Sequence, residues 1–407
     1  MNRFFITPDI QTAIGALSVD PEIIIVCIDK SSVITKLKEQ GYKIFSYQQE
    51  TGNTILRNSK LLLMQQETKH FINSFDGAKQ FIFFKPLILP DKLLSDYGFP
   101  TILNNDAILS AQIENKLYVK NFDVKTPTEI TEVTEYPVVL QFETGYAGNS
   151  TFVVHDEKDL HTLISLKKDK YKIVEYVENY GTYTNNCFCD EKKVFISQPF
   201  FQYTGIKGLT RTKLGSCGNN FYTDLSDDIK DEIKVYSKKI GEHLIKIGYK
   251  GAFGIDFVLS QKNELFVIEI NPRFTASISF FTQLEKSTGN QSFFEKQIKI
   301  FSGQEIEYEY ESKLKGKRLL LRNDSFGDEI IKGDYKSGIY KIEDENFIFQ
   351  REEFFVSELK ENEVLLFIKD KGFVVTPETD MVNLYTLENI PEDILINSLI
   401  NLKRQIT

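Results

Sequence analysis

Two periodicities of apolar residues alternate along this chain of 407 residues, and the points where one gives way to the other mark its elements. Near the N-terminus the apolar runs FFIT (4–7), EIIIVCID (22–29), KIFSY (43–47) and FIFFKP (81–86) read as strands, and SSVITKLKEQG (31–41) reads as a helix closed by Gly41. Strands alternating with helices predict a parallel α/β unit over residues 1–100. It lacks a GxGxxG turn, so a dinucleotide-binding unit is not indicated.

Farther on, residues 104–126 read as a helix that carries Asn115, Lys116 and Lys120 and stops before Pro127. YPVVLQF (136–142) and TFVV (151–154) are strands around the turn ETGYAGNS, in which Gly145, Gly148, Asn149 and Ser150 allow backbone N–H groups to approach phosphate oxygens. A plain hairpin turn has the same appearance. A helix over 157–168 leads to the strand KIVEYVE (172–178), the irregular segment ENYGTYTN and a strand over 194–203. The glycine-rich run 205–220 holds Lys207, Arg211 and Lys213, a pattern shared by anion-binding loops and by solvated ones. Ile229, Ile233, Tyr236, Ile240, Leu244 and Ile247 recur at spacings of three and four, which predicts a helix over 227–247 between an N-cap at Ser226 and a stop at Gly248. Helices at 277–287 and 293–301 follow. Beyond Leu314 the runs KRLLLRN, SGIYKI, FIFQREEFFV, EVLLFIK and GFVVTP read as strands before a closing helix over 391–405. The divisions expected are 1–100, 101–205, 206–312 and 313–407, the last a mostly β appended module. Its arginines, Arg318, Arg322 and Arg351, read as surface charge.

The chemistry concentrates in GYKGAFGIDFVLSQKNELFVIEINPR (248–273), two alternating runs around a polar turn. Phe253, Ile255, Phe257 and Leu259 share one face and leave Asp256 on the other, while Phe266, Ile268 and Ile270 oppose Val267, Glu269 and Asn271. A four-residue turn pairs Ser260 with Leu265 and sets Asp256 opposite Glu269, with Cβ atoms about 5 Å apart. Two carboxylates that close repel unless a divalent cation lies between them. Asn271 adds a neutral oxygen, and the all-oxygen set suits Mg²⁺ shared with substrate phosphates, which implies a nucleotide. Arg273 follows the strand-ending Pro272 and offers a cationic fork beside the metal.

Composition narrows the classes. A 41% hydrophobic content with 33 Phe and 19 Tyr is that of a folded globular protein. The net charge of -9, without a long basic run, argues against a nucleic-acid partner; no apolar run is long enough for a membrane span, and Pro8 and Asp9 interrupt the N-terminus where a signal peptide's apolar core would lie, so a cytoplasmic location is expected. Cys27, Cys187, Cys189 and Cys217 match no zinc or CxxC spacing and read as free thiols, with Cys187 and Cys189 filling one sheet face. The four histidines fit no metal or triad pattern.

Taken together, GxFGIDFxL followed by FxIEINPRF resembles the ATP-grasp superfamily, carboxylate–amine ligase type, with weaker correspondences over residues 1–310. The resemblance implies an ATP-grasp fold of class α/β (α+β), with the N-terminal parallel unit and the C-terminal β module as accessories. It implies that Asp256, Glu269 and Asn271 hold two Mg²⁺ ions on ATP and that Arg273 stabilises the phosphoryl group in transfer. It carries an ATP-phosphate lysine onto Lys116, with Lys120 in reserve, a phosphate loop onto Gly145, Gly148 and Ser150, and an adenine hinge onto the Glu175 carbonyl and the Val177 amide. Gln141 stands where the family has its second ATP lysine, and Glu178 substitutes for the ribose-binding acid, which is missing near Gly181 and Thr182. The expected activity is ATP-dependent joining of a small-molecule carboxylate to an amine, both amino-acid-like, through an acyl phosphate that releases ADP and phosphate. A phosphotransferase or a non-catalytic nucleotide-binding regulator are the alternatives. The C-terminal module could cover the site, bind an acceptor or form a homodimer.

Overall fold

The unbroken apolar runs near the N-terminus form a five-stranded parallel sheet in the order Ile44–Ser46, Ile24–Cys27, Asn2–Ile6, Lys79–Phe83, Thr101–Ile102. Ile25, Cys27, Phe5 and Ile82 pack into one apolar cluster and Ile24, Val26, Phe4 and Phe81 into another, so both faces are buried and no alternation survives in the sequence. The computed structural model describes residues 1–143, 145, 150–167, 169–307 and 313–407. Gly148 and Asn149 of the expected phosphate loop lie outside the described residues.

The N-terminal sheet is joined to the rest of the chain through Gly15 in the helix Ile10–Val19. The Gly15 amide donates to the Ser279 hydroxyl at 3.1 Å, and a Cβ on Gly15 would stand 2.4 Å from the Ser279 carbonyl oxygen. Only a residue without a side chain lets this helix lie on the helix Ile278–Ser287.

The expected helix over 104–126 is broken. It runs from Ala107 to Glu114, and the 3₁₀ turn Val119–Phe122 follows. Asn115 causes the break: its side-chain oxygen accepts from the Leu117 amide at 2.9 Å, an Asx turn that competes with the next helical turn. Lys116 therefore projects from a loop.

Val138–Phe142 is the middle strand of a small antiparallel sheet, between Thr151–Val154 and Tyr171–Glu175. Val138, Leu140 and Phe142 pack against Leu160 of the helix Glu157–Leu166, which leaves Val139 and Gln141 on the opposite face.

Apart from Glu329–Ile330 and Val374–Val375, which pair with each other, the remaining strands form one long antiparallel sheet, with Val194–Ile196 paired to Asn179–Cys189 beside its main path. Its spatial order is Leu265–Asn271, Gly251–Ser260, Asn179–Cys189, Phe200–Thr204, Ser216–Asn220, Lys317–Arg322, Asp380–Thr386, Glu363–Ile368, Gly338–Glu343, Asn346–Arg351. The helix Asp227–Lys246 covers one face with Ile229, Ile233, Ile240 and Leu244, and Gly248 ends it at φ 84°. Cys187 and Cys189 are buried in the same cluster.

Several expectations for this sheet are corrected. ENYGTYTN, read as irregular, leads into the eleven-residue strand Asn179–Cys189, which pairs with Gly251–Ser260. Asp380–Thr386 was not anticipated, because polar Asn383 interrupts its apolar pattern; buried, it accepts from Arg318 at 3.3 Å and also bonds Gln11. GFVVTP yields only Val374–Val375. Residues 216–220 of the basic run are a strand, and Glu378 anchors the run by accepting from Thr210 and the Arg211 amide at 2.7 and 2.9 Å. The C-terminal arginines are not surface charge: Arg318 and Arg322 are buried, and Arg351 makes two bonds of 2.7 Å to the buried Glu363. No helix is long and apolar enough to cross a membrane among the described residues.

Candidate functional site

In the hairpin Gly251–Ser260 and Leu265–Asn271, Asp256 does stand opposite Glu269, by a different route from the one expected. Ser260 pairs with Glu264 through its amide, and Leu259 rather than Ser260 faces Leu265. That displaces the register by one residue, and a bulge between Asp256 and Phe257, with Ile268 as the extra residue, restores it. The bulge also reverses the alternation. Val267 and Ile270 both join the core with Ile255 and Phe257, whereas Glu269 and Asn271 stay on the face of Asp256.

Asp256 is the focus of this face. Its carboxylate accepts from the Thr184 hydroxyl at 2.8 Å and from the Asn271 amide at 3.1 Å. Burial and the neighbouring Glu269 carboxylate push its pKa up to about 6, against the partial relief given by Thr184, Arg273 and Asn271. An acid pair held this way is under-compensated, and the side-chain oxygens of Asp256, Glu269 and Asn271 form a set that a hard divalent cation fits. Among the described residues no three His, Cys, Asp or Glu side chains gather into a metal site; in this set the third donor is the amide of Asn271.

Arg273 is fixed beside them. It donates to the Asn271 side-chain oxygen at 2.8 Å, to Glu114 at 2.9 Å and to the Phe274 carbonyl at 3.1 Å, and its guanidinium lies 5.7 Å from the Phe84 ring centre. Burial raises the Glu114 pKa, but Arg273 and Lys85 outweigh it and hold the carboxyl below its usual range. Lys116 is 4% exposed and spans to a second wall: its ammonium donates to the Thr151 hydroxyl at 2.9 Å and lies 3.7 Å from Glu269. Lys120, by contrast, is well exposed and pairs with Glu129 at 3.6 Å.

The second wall is the small antiparallel sheet. Gln141, 8% exposed, pairs with Thr151 on one side and Lys172 on the other. Ser150 is fully buried; its carbonyl accepts from the Phe142 amide at 2.9 Å and its hydroxyl has no partner among the described residues. Gly145 has φ 156°. The Glu175 carboxylate accepts from the Thr128 amide and hydroxyl at 2.7 and 2.8 Å, while the Val177 amide makes no hydrogen bond among the described residues. Glu178 is exposed, and its carbonyl accepts from the Gln261 amide at 3.1 Å.

Three participants escaped the sequence reading. Thr184 lay in the segment read as irregular, although the alternation of Thr182, Thr184 and Asn186 signals a strand. Glu114 carries no local signal; only the fold brings it to Arg273. Lys172 is one residue inside a strand that was recognised, and its register partner could be found only from the pairing.

A sequence model for an ATP-grasp domain matches residues 112–277. Over 184 residues, 43% of this chain, the sequence is 24% identical to butirosin acyl-carrier protein–L-glutamate ligase of Niallia circulans, and the match spans 42% of that relative's length. The fold is similar to that of N5-carboxyaminoimidazole ribonucleotide synthetase from Thermotoga maritima, at 15% identity and a TM-score of 0.56, covering 100% of this chain and 99% of that one. It is also similar to the biotin carboxylase domain of Hydrogenobacter thermophilus 2-oxoglutarate carboxylase, solved with MgADP and bicarbonate, at 14% identity and a TM-score of 0.62 over 95% of this chain and 86% of that one. At such identities the likeness establishes a shared α/β fold.

Proposed function

For a chain that carries an ATP-grasp domain over residues 112–277, we propose an ATP-dependent carboxylate–amine ligase that works through an acyl phosphate. The observation that carries this reading is the co-facial set Asp256, Glu269 and Asn271 with Arg273 bonded to its edge. ATP binds between this set and the wall formed by Lys116, Gln141 and Gly145, with its adenine edge on the Glu175 carbonyl and the Val177 amide. Lys116 meets phosphate oxygens, and Glu178 substitutes for the ribose-binding acid. Two Mg²⁺ ions, held by Asp256, Glu269 and Asn271, would neutralise phosphate charge.

An oxygen of the substrate carboxylate attacks the γ-phosphorus in line, and the bond from phosphorus to the ADP oxygen breaks. Arg273, locked by Glu114, stabilises the added negative charge on the transferring group without having to reorganise. The amine nitrogen then attacks the acyl carbon, the carbon–oxygen bond to phosphate breaks, and the nitrogen gives up a proton. Amide, ADP and phosphate result. No side-chain nucleophile is required, since both reacting groups belong to the substrates.

The substrates are small amino-acid-like carboxylates and amines; the curated relative's ligation of L-glutamate supports this class. The enzyme works in the cytoplasm, consistent with four buried free thiols. Purified protein given ATP, Mg²⁺ and mixed amino acids and carboxylates is expected to release ADP and phosphate in equal amounts. ADP without phosphate would identify a phosphotransferase, and no ADP would refute catalysis.

A further inference from the structure

The ATP-grasp resemblance implies a charge-neutralising lysine where this chain has Gln141, and an amide cannot neutralise charge. The register of the small sheet shows what stands beside it. Thr151, Gln141 and Lys172 form one row across three strands, each directly opposite its neighbour. The row faces the cleft, because Lys116 donates to its first member, Thr151, and because the alternate row of Phe152, Leu140 and Ile173 packs under the helix on the other face. Directly opposed residues have Cβ atoms about 5 Å apart, a distance that a lysine stem spans with ease.

The Lys172 ammonium group is short of partners. It makes no hydrogen bond and no close ion pair among the described residues. Burial pushes its pKa down; Glu129 opposes this, and the like charges of Lys120 and Lys116 add to the fall. Glu129 is already paired to Lys120, and Lys116 is beside Glu269. A half-buried ammonium that feels the like charges of Lys120 and Lys116 is the converse of the acid pair Asp256 and Glu269: one arrangement asks for a cation, the other for a polyanion.

We propose that Lys172 is the second phosphate-binding lysine of this nucleotide site, delivering from the adjacent strand the charge that Gln141 cannot supply. The ligand is the phosphate chain of a nucleoside di- or triphosphate, with Gln141 donating an amide N–H beside it. The inference rests on the ATP reading above.

Calorimetric titration of the full chain with MgATP, and separately with adenosine, tests it on Lys172→Met, Lys172→Arg and the exchange variant Lys172→Gln/Gln141→Lys, each checked for wild-type unfolding temperature. Lys172→Met is expected to weaken MgATP binding about 10- to 100-fold and leave adenosine within about 2-fold. Lys172→Arg and the exchange variant should bind MgATP within about 5-fold of wild type, since they keep the charge over the same row. MgATP binding unchanged in Lys172→Met, or equal losses for ATP and adenosine, would overturn the proposal while leaving the ATP reading intact. If Lys172→Met does not fold, a folded exchange variant that loses MgATP overturns it, and one that retains MgATP supports it. Wild-type protein without affinity for MgATP overturns the ATP reading and this inference together.

Discussion

Replacing Asp256 by Asn should make the protein more stable and less able to use MgATP, an opposition that a purely structural carboxylate would not produce. The Asp256 pKa rises from 3.8 to about 6, so at neutral pH the folded state bears a charge that it disfavours by about 3 kcal/mol at most. Partial solvent access reduces this figure, and weakening of the Thr184 and Asn271 hydrogen bonds takes back roughly 1 kcal/mol. A net gain of about 1 kcal/mol remains for ligand-free Asp256→Asn at pH 7. Because the folded pKa is raised, the stability associated with this group is fully present below pH 3.8 and is lost as pH climbs through 6. Roughly half of the charge penalty disappears between pH 7 and pH 5, so the variant's net advantage of about 1 kcal/mol should all but vanish there. Denaturant unfolding at both pH values reads the effect, and MgATP, which should stabilise wild type, should stabilise the variant far less. A variant less stable than wild type by the same margin at both pH values would show that Asp256 is a satisfied core acid and refute the strained-pair account.

Glu114→Gln weakens the hold on Arg273 without touching substrate, so kcat should fall about 10- to 100-fold while KM for ATP stays within about 2-fold, measured by steady-state ADP release. Gly15→Ala forces a Cβ against the Ser279 carbonyl and should cost about 1–3 kcal/mol in chemical denaturation, since a backbone atom cannot step aside. All four cysteines are buried, and burial pushes the Cys27, Cys187, Cys189 and Cys217 thiols up, so native protein should react with a thiol reagent only after unfolding.

What the sequence disclosed follows from where the physics is local. Side-chain alternation is a property of each strand, so Asp256, Glu269 and Asn271 could be assigned to one face before any fold was known. The turn assignment was off by one residue, and the bulge at Ile268 cancelled the error on the metal side while leaving it on the turn side. Local signals also marked the helix Asp227–Lys246 and its stop at Gly248. Asn115 shows the limit: its Asx turn ended a helix that apolar spacing alone would have continued. Glu114 and Thr184 bond to partners 159 and 72 positions away, and Lys172 stands opposite Gln141, 31 positions away. Such partnerships are set by strand pairing and helix docking, which leave no trace in a window of neighbouring residues. Asn383 was overlooked for a related reason: a polar residue breaks a strand pattern unless its buried partners, Arg318 and Gln11, are known.

The acyl-phosphate route has one atom-level signature. Carboxylate substrates labelled with ¹⁸O on both oxygens, incubated with the enzyme, MgATP and an amine pool, should give inorganic phosphate carrying one ¹⁸O and an amide retaining the other, read by mass spectrometry. Unlabelled phosphate released alongside the amide, or label appearing in AMP, would contradict transfer of the γ-phosphoryl group onto the carboxylate beside Asp256, Glu269 and Arg273.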